Sequence, residues 1–261
     1  MSEAVEFEVF GERFNIVPPD VHDNVAGQFA DGSFERPMPA VLLSLARTSG
    51  NGVMFDIGAN NGVYTLLACA SNPGLISHAF EPYPPVISIL QQTIAANAFR
   101  DRVTLHQVAL SDANGTAQLY VPDAGHGLLE TSCSLNSEFQ QFAGSVSVPT
   151  RRLDDMHLPA PSFIKLDVEG HEPAVLAGAR RTLREARPIL FIEVLREADT
   201  TLVNEIAATD GFQRYRLHQD GYVLREDVVA FDLAAWNHVL VPHAKTAMFE
   251  SAVATADVPL R

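Results

Sequence analysis

The chain has 261 residues and a formal net charge of −14, from 32 acidic against 18 basic side chains. Apolar residues at 47% and charged residues at 19% provide for one large folded domain and exclude global disorder. A surface this acidic repels phosphate backbones and anionic bilayers, so neither nucleic acid nor membrane is an expected partner.

Two cysteines, Cys69 and Cys133, are too few for a disulfide framework. The first residues carry acids where a signal peptide carries an apolar core, and no run reaches the ~18 apolar residues of a membrane span. The expectation is a cytoplasmic location, with the oligomeric state left open.

In chain order, Val5-Glu-Phe-Glu-Val-Phe10 and Phe14-Asn-Ile-Val17 alternate around Gly11 and predict a hairpin. Two short helices are expected over 21–30 and 37–48, so that 1–50 forms an extension of the same domain. From 53 to 110 the texture is strand, helix, strand. Val53–Ile57 is a strand, and Val63, Leu66, Leu67 and Ala70 recur at helical spacing. Leu75–Phe80 is the next strand, Pro84–Asn97 a helix, and Val103–Leu110 a third strand. That alternation predicts a parallel sheet with helices on both faces.

The rhythm fails over about 111–162, read as a strand-loop-strand insertion. Its strands are expected near 115–121 and 145–148, around a Gly/Ser-rich loop at 122–144 with weak helical character near 137–142. The alternation resumes with a strand at Phe163–Val168, a helix at Glu172–Glu185, a strand at Ile189–Val194 and a helix near 199–209. Strands near 212–217, 221–224 and 237–241 close the domain at about 243. The tail 244–261 reads as a frayed helix, and Trp236 as core.

Three segments can carry chemistry. Phe55-Asp-Ile-Gly-Ala-Asn-Asn-Gly62 is a glycine-containing turn between a strand and a helix, at the usual ligand edge of an open parallel sheet. Asp56 before the first glycine would repel a pyrophosphate but suits an amino or sulfonium group. Glu81 ends the next strand, where doubly wound folds bind ribose hydroxyls. Asp167, Glu169, His171 and Glu172 crowd a third strand-to-helix junction and could serve as base, metal ligand or anchor. Helix capping would produce the same letters at that junction. The other histidines are scattered without zinc spacing. Cys69 falls among apolar helix positions, Cys133 has no activating neighbour in sequence, and Lys165 shares a strand face with Asp167 as its expected ion-pair partner.

Asp56-Ile-Gly-Ala-Asn-Asn-Gly62, Phe80-Glu-Pro82, Val108-Ala-Leu-Ser-Asp112 with Gly115, Ile164-Lys-Leu-Asp-Val-Glu-Gly-His-Glu172, Val175-Leu-Ala-Gly-Ala179 and Pro188-Ile-Leu-Phe-Ile-Glu193 together resemble the FkbM-type methyltransferases. The resemblance is strong over about 53–195 and thins towards both ends. It implies a Rossmann-like, seven-stranded class I methyltransferase sheet and S-adenosylmethionine as cofactor. By position it assigns Asp56, Gly58, Asn60 and Gly62 to the methionine part of that cofactor, Glu81 to its ribose, and Ala109, Ser111 and Asp112 to its adenine side. It further implies methylation of a hydroxyl on a small-molecule acceptor, such as a sugar or polyketide-like product.

Asp167, His171, Glu169 and Glu193 are the catalytic candidates. A general base suffices if Asp167 or His171 takes the acceptor proton. A divalent metal such as Mg²⁺ would use Asp167 and Glu193, at the ends of adjacent strands. A nicotinamide-dependent oxidoreductase shares the sheet and the ribose acid but lacks this chain's Asp56 turn. A silent binding module would have no use for both acids.

Overall fold

The computed structural model describes residues 4–17, 28, 35–122, 132–137 and 142–261. Strands β1 (Val5–Val9) and β2 (Glu12–Ile16) pair antiparallel. Phe10 and Gly11 between them both take positive φ, 52° and 80°, the backbone of a tight two-residue hairpin turn. The hairpin turns Phe14 and Ile16 into the core, against helix α1 (Met38–Thr48), which buries Val41, Leu42 and Leu45. The helix expected at 21–30 lies outside the described residues, apart from Gln28.

The main sheet contains β3 (Val53–Ile57), β4 (Ile76–Phe80), β5 (Val103–His106), β9 (Phe163–Leu166), β10 (Ile189–Glu193), β11 (Phe212–His218), β12 (Tyr222–Glu226) and β13 (Asn237–Pro242). Their order is β12-β11-β13-β10-β9-β3-β4-β5. Pairing is parallel from β5 through β10 and antiparallel for β13, β11 and β12. The sheet thus has eight strands where the resemblance implied seven, the strand expected near 221–224 folding back at Gly221, φ 85°, to pair as β12 on β11. After β3 the chain builds outwards through β4 and β5, then returns to β9 on the other side. A crevice opens at that reversal, beyond the carboxyl ends of β3 and β9.

Helix α2 (Val63–Ser71) follows β3, and α3 (Pro84–Ala95) follows β4. The strand expected at 103–110 breaks after His106, where Val108 N–H bonds back to the His106 carbonyl. Ala109–Leu110 (β6) instead joins a second sheet, in the order β6-β8-β7, with β7 at Gly115–Pro122 and β8 at Phe142–Arg151. These strands supply the expected insertion. Most of its loop, including 123–131 and 138–141, lies outside the described residues.

The helix expected at 172–185 divides into α4 (Glu172–Gly178) and α5 (Arg180–Ala186). Gly178 presses against the Ser111 carbonyl, which a Cβ would approach to 2.0 Å. Asp154 then anchors α5 separately, accepting from the Arg181 and Thr182 backbone N–H groups at 2.9 and 2.8 Å. Helix α6 (Thr201–Thr209) precedes β11. The tail does not fray: α7 (Thr246–Thr255) buries Phe249, Ala252 and Val253 in the same core as α1. Cys69 lies in that core as well. Among the described residues no helix is long and apolar enough to cross a membrane.

Candidate active site

The crevice at the chain reversal holds about 920 Å³ of empty space, its mouth included, within the range of small-molecule sites. Its floor is the β3–α2 turn. Gly58 and Ala59 N–H groups both donate to the Phe80 carbonyl at 3.0 Å, which ties this turn to β4. Gly58, at φ 79°, has no room for a side chain, since a Cβ would sit 1.7 Å from the Asp167 carbonyl oxygen. Its glycine is therefore demanded by the close approach of the β9 end. Gly62, at φ 86°, does not line the cavity; Leu90 of α3 packs where its Cβ would be.

Glu81 is the best-placed acid. It is 7% exposed and lines the cavity. One carboxylate oxygen accepts the Asn60 N–H at 3.0 Å and the other the Tyr83 N–H at 2.9 Å, so the carboxylate is fixed with lone pairs to spare. Burial pushes its pKa up to about 7 against those two hydrogen bonds.

Asp56 does not line the cavity. It is fully buried behind the wall, where Oδ2 accepts the Thr65 N–H at 3.1 Å and the Thr65 hydroxyl at 2.7 Å. These bonds tie the first turn of α2 to β3, while Oδ1 is buried without a partner among the described residues. Ala109 does line the cavity, whereas Ser111 and Asp112 lie behind it. Ser111 Oγ stands 3.0 Å from His171 Nε2 and 3.2 Å from Asp112 Oδ1.

Asp167, Glu169 and His171 all line the cavity. Lys165 Nζ pairs with Asp167 Oδ2 at 2.8 Å and lies 4.8 Å above the Tyr64 ring. Burial alone would lower the Lys165 pKa, but Asp167, Asp56 and Glu35 outweigh it and raise it. Glu169 takes φ 55° and is pushed up to about 8, by burial first and then by Asp167 and Glu172. Burial lowers the His171 pKa. Glu172 turns away from the cavity, and its Oε1 accepts the Val168 and Gly170 N–H groups at 3.0 and 3.3 Å, stapling the loop.

Glu193 does not line this cavity. It opens instead onto a second one, of about 1020 Å³ with its mouth included, together with Glu35, Leu195, Gln219, Phe231 and Trp236. Trp236 is thus half-buried wall rather than core. Glu35 lines both cavities and accepts a hydrogen bond from the Tyr64 hydroxyl. At the seam, Glu35, Asp167 and Glu193 each bring a carboxylate oxygen within 4.8 Å of the other two. Burial raises the pKa of both Glu35 and Glu193.

A family model for the methyltransferase FkbM domain matches residues 56–223, well over half of the chain. The chain belongs to the FkbM methyltransferase family. It is 33% identical over 150 residues to 2-O-methyltransferase NoeI of Sinorhizobium fredii, covering 52% of this chain and 60% of that one. It is 30% identical over 156 residues to 31-O-demethyl-FK506 methyltransferase FkbM of Streptomyces tacrolimicus, covering 48% of this chain and 58% of that one. The chain therefore spans about three fifths of the length of these curated relatives. The crystal structure of methyltransferase FkbM from Methylobacillus flagellatus KT superposes with a TM-score of 0.51 at 21% identity, over 72% of this chain and 43% of that one. That likeness establishes the shared fold.

The FkbM match takes in the first cavity almost whole. It leaves out Glu35, Phe231, Trp236 and Asn237, which sit on or beside the second. Sequence reasoning missed Glu35, and no local signal marks it. It reaches the site from the N-terminal extension, 21 positions before Asp56.

Proposed function

We propose that this FkbM-family chain transfers the methyl group of S-adenosylmethionine to a hydroxyl oxygen of a small-molecule acceptor. The observation that carries the reading is Glu81, a buried cavity acid held by two backbone N–H groups at the end of β4. A carboxylate so fixed suits the two hydroxyls of a ribose. The charge of the wall supports the same reading. Glu35, Glu81, Asp167 and Glu169 face it against Lys165, a set that favours a cationic ligand and disfavours a dinucleotide's pyrophosphate. The O-methyltransferase names of the two curated relatives support an oxygen acceptor.

When bound, the cofactor supplies an electrophilic methyl group on a sulfonium. The protein's share is to align the acceptor with it, to exclude water and to receive a proton. Glu81, fixed by the Asn60 N–H, and Ala109 of the same cavity hold the nucleoside end. Asp167, at the carboxyl end of β9, receives the acceptor proton, while Lys165 fixes its carboxylate at 2.8 Å. Oxygen gains one methyl and the carboxylate gains one proton. His171 is less suited as base, because its Nε2 is engaged by Ser111 and burial disfavours its charged form. It positions the Ala109–Asp112 segment instead. The shared core of hairpin, α1 and α7 supports one catalytic unit from the extension to the tail.

A divalent cation is a second route, favoured by the Glu35, Asp167 and Glu193 oxygens at the seam. Those residues would hold it, and it would acidify a bound hydroxyl. Lys165 counts against it, since its ammonium already occupies Asp167. The experiment is incubation with S-adenosylmethionine and acceptor extracts, read by mass spectrometry for a gain of one methyl, with and without chelator. The base route expects transfer unchanged by chelation. Transfer abolished by chelator and restored by Mg²⁺ or Mn²⁺ would select the metal route, and absence of any transfer would reject the reading.

A further inference from the structure

We propose that the second cavity is the acceptor site, and that its wall, which lacks a cation, selects a neutral, polyhydroxylated ring over an anionic one. The proposal rests on the methyl-transfer reading of the first cavity. Position is the first argument. Glu35 lines both cavities, and the Glu35, Asp167 and Glu193 oxygens crowd the seam within 4.8 Å. A ligand seated against Trp236 therefore presents its near edge to the carboxylate that would receive a proton.

Unmet polar groups are the second argument. Among the described residues the Glu193 carboxylate has no hydrogen-bond partner, and it opens into the cavity. Gln219, also in the wall, leaves its Nε2 buried and unpaired. Asn237 is 3% exposed, opposite Glu193 in the sheet register, and its side chain hydrogen-bonds to Glu35. Buried polar groups are ordinarily hydrogen-bonded, so a buried open amide beside the half-buried Glu193 carboxylate suits a ligand that both accepts and donates. A hydroxyl does so.

Shape and charge complete the class. Trp236 and Phe231 line the cavity with aromatic surface against which the C–H face of a saturated ring can pack. Among the described residues, no Lys or Arg lines this cavity. The segments outside them carry none in sequence. Arg196 stacks over Phe231 at 5.3 Å but is exposed, and Lys165 is committed to Asp167. A carboxylated or phosphorylated ring would give up its hydration here with no cation in the wall to replace it.

The chain's single tryptophan makes the test direct, because Trp236 is its only indole fluorophore. With S-adenosylhomocysteine bound, a panel of neutral methyl hexosides and the matching methyl hexuronosides is titrated while Trp236 emission is followed. At least one neutral glycoside should give a saturable change, with its uronoside weaker by about tenfold or more. Glu193→Gln and Gln219→Ala should each weaken the neutral glycoside by about tenfold, while S-adenosylhomocysteine affinity by calorimetry stays within about twofold. Equal or tighter binding of the uronosides would overturn the proposal. So would a silent Trp236 across the neutral panel, or unchanged affinity in both variants. Failure of the methyl-transfer reading shows separately, as no calorimetric heat with S-adenosylhomocysteine in the parent protein.

Discussion

The two cavities share Glu35 but are made in different ways. The first is walled by backbone: the β3–α2 turn, the end of β4 and the loop after β9, pinned together by N–H groups on the Phe80 carbonyl and on Glu81. Its polar atoms are largely paired before any ligand arrives. The second is walled by side chains from β10, the turn after β11 and the approach to β13, and in it Gln219 Nε2 is buried and unpaired. A site common to a family is best built from backbone geometry that few sequences satisfy. A site that varies with the acceptor is built from side chains that can be exchanged without disturbing the sheet.

The contrast breaks first, and most visibly, at the seam. Asp167→Ala should lower turnover by roughly 10²–10⁴, the usual worth of a positioned proton acceptor, while leaving cofactor affinity within about threefold. Full activity in that variant would leave catalysis to alignment alone and remove Asp167 from the account.

Gly58→Ala comes next. It puts a Cβ 1.7 Å from the Asp167 carbonyl at a φ of 79°. Loss of about 2–4 kcal/mol in urea unfolding is expected. A loss under about 0.5 kcal/mol would show that the first cavity is not pinned by backbone contact.

Glu81→Ala removes a charged acceptor worth roughly 1.5–3 kcal/mol, so calorimetry should record a tenfold to hundredfold fall in cofactor affinity. Unchanged affinity would end the ribose assignment.

The smallest effect is in pH. Burial holds Glu81 at about 7 and Glu169 at about 8, both above ordinary carboxyl values. The folded protein therefore keeps protons that the unfolded chain has released, and these groups lose stability as pH rises through 7 to 8. A bound cation favours their charged forms, so S-adenosylmethionine affinity should rise severalfold over about pH 6 to 8, and that of the uncharged product less. The loss of stability begins near pH 4.5, and below about 6.5 it is opposed by His78 and His106, which burial lowers, the latter to about 4, so that their neutral pair loses stability as pH falls. A flat affinity profile would show that the wall acids do not face the cation.

What could be read in advance follows the same division. Glu81 was legible because a strand's end fixes where its acid points. The alternation of strands and helices likewise announced the parallel half of the sheet. The contacts of Asp56 were not legible, since only packing reveals that Thr65 bonds its Oδ2. The break between α4 and α5 was hidden because it depends on the Ser111 carbonyl and on Asp154, both remote in sequence. Glu35 and Trp236 were illegible for the same reason. Each reaches the site across the fold from a segment without periodic signal, and α7 looked frayed until its apolar residues met α1.

The central claim, that the first cavity takes S-adenosylmethionine, is tested most directly by parallel calorimetric titrations of the parent protein with S-adenosylmethionine and with NAD. The account predicts saturable binding of S-adenosylmethionine at one per chain, a matching rise in Tm by mass action, and no heat with NAD. Binding of NAD in place of S-adenosylmethionine, or no binding of either, would contradict it.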